Sequence, residues 1–373
     1  MIFWFLVLIT VLVFVHELGH YLVARWNGVK VEVFSIGFGK EIFGFYDKHG
    51  TRWKFSLIPL GGYVKFFGDI DISSTQINKE SSDLNKEEFD QAFHNKTLLQ
   101  KSAVLFAGPF ANFLFAVLIF FFLFISFGIP QHNRDIIVFE VLDQSSASLY
   151  GLKAGDEVVE IEGKKILNSL DLVNIVKNSP NEDLSFLIKR DGEYLNLSII
   201  PDSSISKDNQ GKETIIGRIG IKINEKSNTS YEKVNVDKIL KNSILKTVEI
   251  TILILDSLKG IVVGDVSYKE LGGPIRIADV SSQAAQTGVV NFLWIMALIS
   301  INLGLINLLP IPILDGGHLL FFLVQAIIRK PLNETIIKYA TSFGMVFLIG
   351  IMFLVFYNDI SYYWQDIKTF IVR

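Results

Sequence analysis

The sequence has no cysteine among its 373 residues, so disulfides are excluded and any metal site must draw on His, Asp or Glu. It also lacks a charge imbalance: the net charge of −3 gives no footprint for nucleic-acid binding. What it has in quantity is apolar, with 50% hydrophobic residues, 31 phenylalanines and a mean hydropathy of +0.40. That is too apolar for an ordinary soluble chain, while 20% charged residues are too many for one lying wholly in lipid. Spanning helices combined with a soluble domain satisfy both.

Four segments reach the roughly 20 apolar residues that a bilayer span needs. They are residues 2–24, 102–127, 291–313 and 336–357. The first has no basic segment before it and no small-residue cleavage site after it, so it is expected to remain a span rather than act as a signal peptide. A fifth run, 244–263, carries Lys246, Glu249, Asp256 and Lys259 and reads as an amphipathic helix lying on the membrane or packed on the bundle. Lys and Arg recur through the loop from Arg25 to Lys101 and again at Arg329 and Lys330, which the positive-inside rule assigns to the cytoplasm. Both termini and the 128–290 region then lie outside.

Residues 136–200 read as a small β-rich domain. IIVFEVL, DEVVEIEG and LSFLIKRDGEYLNLSII are strand-type runs, the last turned by Asp191-Gly192. SLDLVNIVKNS has helical spacing and stops before Pro180. The string SSASLYGLKAGDEVVEIEGKKI resembles the signature of bacterial PDZ domains.

The chemistry concentrates at His16-Glu17-Leu18-Gly19-His20, an H-E-x-x-H pattern at the inner end of the first span. On a helix, i and i+4 share a face, so both imidazoles can reach one metal ion while Glu17 holds a water bound to it. Zinc lowers the pKa of such water to about 7, and a carboxylate can then take its proton. Three ionisable groups in five residues of a span cost a few kcal/mol each to insert, which marks the segment as functional. A catalytic zinc needs a third protein ligand, and Asp315 in NLGLINLLPIPILDGGHLLFF is the candidate. Pro310 and Pro312 stop regular helix there, leaving backbone that must be buried in protein or line a wet cavity. Two histidines and a carboxylate also suit non-haem iron, but the glutamate beside the first histidine favours zinc. Asn112, inside AGPFANF of the second span, reads as a structural polar contact, with Gly108 and Pro109 serving close helix packing.

With FVHELGHYLVAR, FSIGFGK, LIPLGGYVK, AGPFANF, LGGPIRIADV and NLLPIPILDGGHLL in this order, the chain resembles the site-2 protease family of intramembrane zinc metalloproteases, particularly its RseP-like branch. The resemblance implies that His16, His20 and Asp315 bind zinc and that Glu17 is the base. Asn307 matches a position implied to bind the substrate backbone. Gly61, Gly62, Tyr63 and Val64 fall in a stretch implied to dip into the membrane and offer a strand edge to substrate. Residues 53–67 are expected to form that hairpin, turning at Gly61-Gly62. Implied substrates are single-span membrane proteins, such as anti-sigma factors after a first cut, or signal-peptide remnants. Tandem PDZ domains occur in well-known members, whereas the room here suits one, which could exclude bulky substrates or bind a peptide end.

The expected architecture is therefore a polytopic α-helical membrane protein with four transmembrane helices, a membrane-associated β-hairpin and one extracytoplasmic PDZ-like β-rich domain. Residues 1–127 carry helices 1 and 2 with the HELGH motif and the hairpin, and 128–225 form the PDZ-like domain. Residues 226–290 connect, and 291–373 carry helices 3 and 4 with the LDGG motif. The expected cofactor is Zn2+. The expected partners are the lipid bilayer, single-span substrates and a peptide or carboxyl-terminal ligand of the PDZ-like domain, with no nucleic acid. The expected location is the inner membrane, with the active site near its cytoplasmic side.

Overall fold

The structure, a computed structural model, describes residues 2–68, 86–207 and 213–364. The chain divides into two units, one formed by residues 1–126 with 235–373 and the other by 127–234.

In the first unit, α1 (Ile2–Trp26) leads into β1 (Val31–Tyr46) and β2 (Arg52–Phe66), followed by α2 (Lys86–Gln91) and α3 (Leu98–Phe127). β1 and β2 do not make a simple hairpin. The first half of β1 pairs on both sides, Phe34 facing Val64 and Trp53, and Ser35 facing Tyr63 and Lys54. Residues 52–56 pair in turn with 41–46, so the ribbon curls into a small sheet in which 62–66 lies at one edge. Gly61 and Gly62, expected at the turn, both lie inside β2; the tight turn falls at 47–51, and the chain doubles back again between 56 and 62, because 33–36 pair in opposite senses with 52–55 and 62–65. Asp47 explains the position of the tight turn, because its Oδ1 accepts the backbone N–H of His49 and Thr51, closing it. Its Oδ2 accepts from Tyr21 Oη at 2.6 Å and Trp53 Nε1 at 3.0 Å, pinning the sheet to α1. Burial pushes the Asp47 carboxyl up, but these donors outweigh it and hold it well below the usual carboxylate range. Phe34 stacks on Trp53 beneath this pin, at 4.1 Å between ring centroids.

In the second unit, β3 (Ile129–Val141), α4 (Ser146–Leu149), β4 (Glu157–Ile161), β5 (Lys164–Lys165), α5 (Ser169–Asn178), β6 (Leu184–Arg190), β7 (Glu193–Ile199), β8 (Asp202–Lys207), β9 (Glu213–Arg218) and β10 (Ile221–Glu232) follow one another. The main sheet runs β10-β3-β4-β6-β7, with β5 beside β4, and β8 pairs with β9. Asp191 and Gly192 turn β6 into β7 with positive φ, 51° and 89°, as a two-residue hairpin requires. Ile136, Val138, Ile161, Phe186, Ile188 and Ile199 fill the core. β10 continues to Glu232, so the sheet extends past residue 225.

The chain then completes the first unit with α6 (Val236–Val263), α7 (Pro274–Thr287), α8 (Val289–Asn307), α9 (Asp315–Ile328) and α10 (Glu334–Tyr362). Among the described residues α1, α3, α8 and α10 are long and apolar enough to cross a membrane. The third expected span, 291–313, ends as helix at Asn307, and the proline segment breaks it before α9 resumes at Asp315. α6 is amphipathic: Ile239, Ser243, Thr247 and Ile250 face inward while Leu240, Ile244 and Leu253 are exposed. Asp359, fully buried at the end of α10, accepts the backbone N–H of Gly273, Ile275 and Arg276 and so caps α7.

Candidate metal centre

His16 and His20 lie four residues apart on the inward face of α1, both buried, their ring planes at 85°. Their Nε2 atoms are 3.2 Å apart. Asp315 is the first residue of α9, and its Oδ2 lies 3.2 Å from His16 Nε2 and 3.5 Å from His20 Nε2. Ligands held at about 2.0–2.1 Å from a tetrahedral zinc stand about 3.3 Å from one another. The three observed edges match that spacing, leaving the fourth corner for a reactant. Among the described residues this is the cluster of His, Asp and Glu whose ligand atoms meet within metal-binding reach.

The second span supports the histidines. His20 Nδ1 donates to the Val104 carbonyl at 2.8 Å. A carbonyl can only accept, so the proton sits on Nδ1 and Nε2 keeps its lone pair towards the triangle. Gly108 lies against the His20 ring, where any Cβ would collide with it. Pro109 cannot donate to the Leu105 carbonyl, which interrupts the α3 ladder beside this contact. Asn112 is fully buried, its Nδ2 3.1 Å from His16 Nδ1. Its backbone carbonyl accepts the Ser300 hydroxyl of α8 at 2.8 Å, so α1, α3 and α8 meet at this residue.

The break between α8 and α9 presents Asp315. Leu308–Leu314 carries Pro310 and Pro312, and Gly316 then packs directly on the Leu308 carbonyl. Ile313 holds φ at 120°, a conformation costly for a β-branched residue and placed two residues before Asp315. Asn307, the last residue of α8, brings Nδ2 to 3.5 Å from His16 Nε2.

Glu17 is buried beside the triangle. The Val64 backbone N–H faces its carboxylate, and Gly62 lies against Val13 and Glu17. Strand alternation divides the candidate edge. Gly62 and Val64 face α1, whereas Gly61 and Tyr63 meet the Phe38 ring, Tyr63 stacking at 6.3 Å. The structure thus brings together His16, Glu17, His20, Asp315, Asn307, Gly62 and Val64, and leaves Gly61 and Tyr63 on the opposite face of the strand. Sequence reasoning missed the Val104 carbonyl, which no side chain announces; Asn112, expected to make a structural polar contact, makes one to His16 and one to Ser300.

Residues 4–351 match the model of peptidase family M50. A protein of Agrobacterium fabrum named "Putative zinc metalloprotease" is 38% identical over 358 residues, covering 96% of this chain and 94% of that protein. A namesake from Rhizobium meliloti is 39% identical over 359 residues, covering 96% of each chain. The "Regulator of sigma E protease" of Salmonella typhi is 30% identical over 450 residues, covering 96% of this chain and 97% of that protein. Among solved structures, the PDZ domain of an SdrC-like protein from Listeria monocytogenes aligns with 24% of this chain and 86% of its own, at 21% identity and a TM-score of 0.19.

Proposed function

Because the chain belongs to peptidase family M50 and is a zinc metalloprotease, we propose that it cleaves single-span membrane proteins inside the bilayer. One observation carries this reading: the His16–His20–Asp315 triangle and Glu17 lie among helices long and apolar enough to cross a membrane. Such a cluster is expensive in lipid and is kept for chemistry.

His16 and His20 through Nε2, and Asp315 through a carboxylate oxygen, would hold the zinc. When bound, zinc polarises a carbonyl and lowers the pKa of water to about 7. Glu17 takes a proton from the attacking water and delivers it to the leaving amine. Asn307 donates its amide to the substrate backbone at the mouth of the triangle. A helical peptide bond is protected by its own hydrogen bonds, so the substrate must unwind first. The 62–66 edge, which pairs with β1 alone among the described strands and lies adjacent to Glu17, supports pairing with that unwound segment, where no water can satisfy its backbone.

Anti-sigma factors already trimmed by a first protease, and signal-peptide remnants, are the substrate classes proposed. In the second unit, β10 is an edge strand among the described residues, and α5 touches it through Ser169 N–H donating to Glu225 Oε1 at 2.7 Å. That arrangement supports a PDZ-like groove for a peptide or carboxyl terminus. The protein sits in the inner membrane with both termini and the β-rich unit outside, and the metal centre near the cytoplasmic face.

The test is cleavage of a model single-span substrate in liposomes by wild type and Glu17→Gln, with bound metal quantified in both. The variant is expected to keep about one zinc and lose about 10²–10⁴-fold in rate. Undiminished cleavage by Glu17→Gln, or zinc binding by both proteins with no cleavage of several such substrates, would overturn the reading.

A further inference from the structure

The two histidines of the triangle are held differently on their far sides. His20 gives its Nδ1 proton to a backbone carbonyl, which leaves its tautomer no choice. His16 turns Nδ1 to the Asn112 amide, which can either donate or accept. Asn112 Nδ2 is the nearer atom, while Oδ1 is buried and has no hydrogen-bond partner among the described residues. With Nδ2 donating, His16 would carry its proton on Nε2, the atom that faces Asp315 at 3.2 Å. That tautomer cannot ligate through Nε2.

Turning the amide by half a revolution exchanges one partnered atom for the other, so the amide itself keeps one partner. It sets Oδ1 against His16 Nδ1, moves the proton there and frees Nε2. The backbone of Asn112 does not move, since its carbonyl is fixed by Ser300 of α8.

We infer that Asn112 is the positioning residue for His16, its side-chain oxygen accepting the His16 Nδ1 proton whenever the triangle holds zinc. The inference rests on His16, His20 and Asp315 being the ligands. Of the two settings open to the amide, only the acceptor leaves His16 Nε2 free to ligate. Outer partners of this kind fix ring orientation and raise ligand basicity, and their loss costs about 10–100-fold in metal affinity.

The experiment uses the full chain in detergent, with zinc affinity measured by chelator competition and Co2+ absorption recorded in the visible. Asn112→Leu keeps the size and removes the acceptor; Asn112→Asp keeps the size and can only accept. Asn112→Leu is expected to weaken zinc binding about 10–100-fold. Asn112→Asp is expected to bind at least as tightly as wild type, with unchanged Co2+ bands. A role in helix packing alone would make the two variants alike, and weakened binding in Asn112→Asp overturns the inference even if the leucine variant does not fold. His16→Ala separates the two levels: tight zinc retained there sinks the ligand assignment, whereas its loss together with a weakened Asn112→Asp sinks only the role of Asn112.

Discussion

In the unit formed by 127–234, Phe186, Ile188 and Ile199 are fully inside, while Glu193, Lys164 and Asp183 lie outward. In the other unit the assignment is reversed along the long helices. Phe343 and Phe353 of α10 stand 70% and 73% exposed, whereas His16, Glu17, His20, Asn112 and Ser300 are enclosed. The physical cause is the solvent each surface meets. Water drives apolar groups in, but lipid gives Phe no reason to leave and gives polar groups every reason to pair inside. An enclosed side chain therefore signals packing in the β-rich unit and polar pairing in the unit of long apolar helices.

The most forceful way to test that contrast is to hollow the water-driven core. Phe186→Ala should cost about 3–5 kcal/mol, read as loss of hydrogen-exchange protection across β4, β6 and β7 in the full chain. A matched pair of surface changes comes next. Phe353→Lys should penalise membrane insertion by about 2.5–3.5 kcal/mol, whereas Tyr194→Lys, at 62% exposure in the β-rich unit, should stay within about 0.5 kcal/mol. Equal penalties would show that both faces meet the same solvent.

The smallest effect concerns an ion pair of the β-rich unit between the buried Asp156 and Arg190. Asp156 takes Arg190 Nε and Nη2 at 2.7 Å each. Burial pushes its carboxyl up, but the Arg190 guanidinium and the Lys153 N–H outweigh burial and leave it lowered. A lowered folded value means the stabilisation is complete above the unfolded carboxylate value of about 3.9 and fades as pH falls towards the folded one. Asp156→Asn should cost about 1–3 kcal/mol at neutral pH and flatten the acid limb of the unfolding profile. A steeper acid limb in the variant would contradict the assigned sign.

Much of this was legible beforehand, for reasons that differ by element. α1, α3, α8 and α10 follow from apolar run length alone, and His16, Glu17 and His20 from helical spacing in a place where charge is costly. Asp315 was legible because two prolines and two glycines broke an otherwise spanning run. The sheet was harder. Gly61-Gly62 reads as a turn in isolation, yet the glycines give room to the Phe38 ring, Val13 and Glu17, and Asp47 makes the tight turn elsewhere. The Val104 carbonyl had no signal, since a backbone acceptor is the same at every residue. Asn112 was visible as a polar residue in an apolar helix, but whose neighbour it was depended on how α3 crosses α1.

The triangle joins residue 16 to residue 315, and that separation has a meaning in time. At about 5–20 residues per second, the ribosome delivers Asp315 some 15–60 s after His16. His16, His20, the Val104 carbonyl and Asn112 are all in place within the first third of the chain, so a two-histidine half-site waits in the membrane without its carboxylate. On the proposed assignment, the nascent protein carries Glu17 throughout that interval but lacks the carboxylate that completes the triangle. On that assignment the last ligand to be translated is the one that completes the centre.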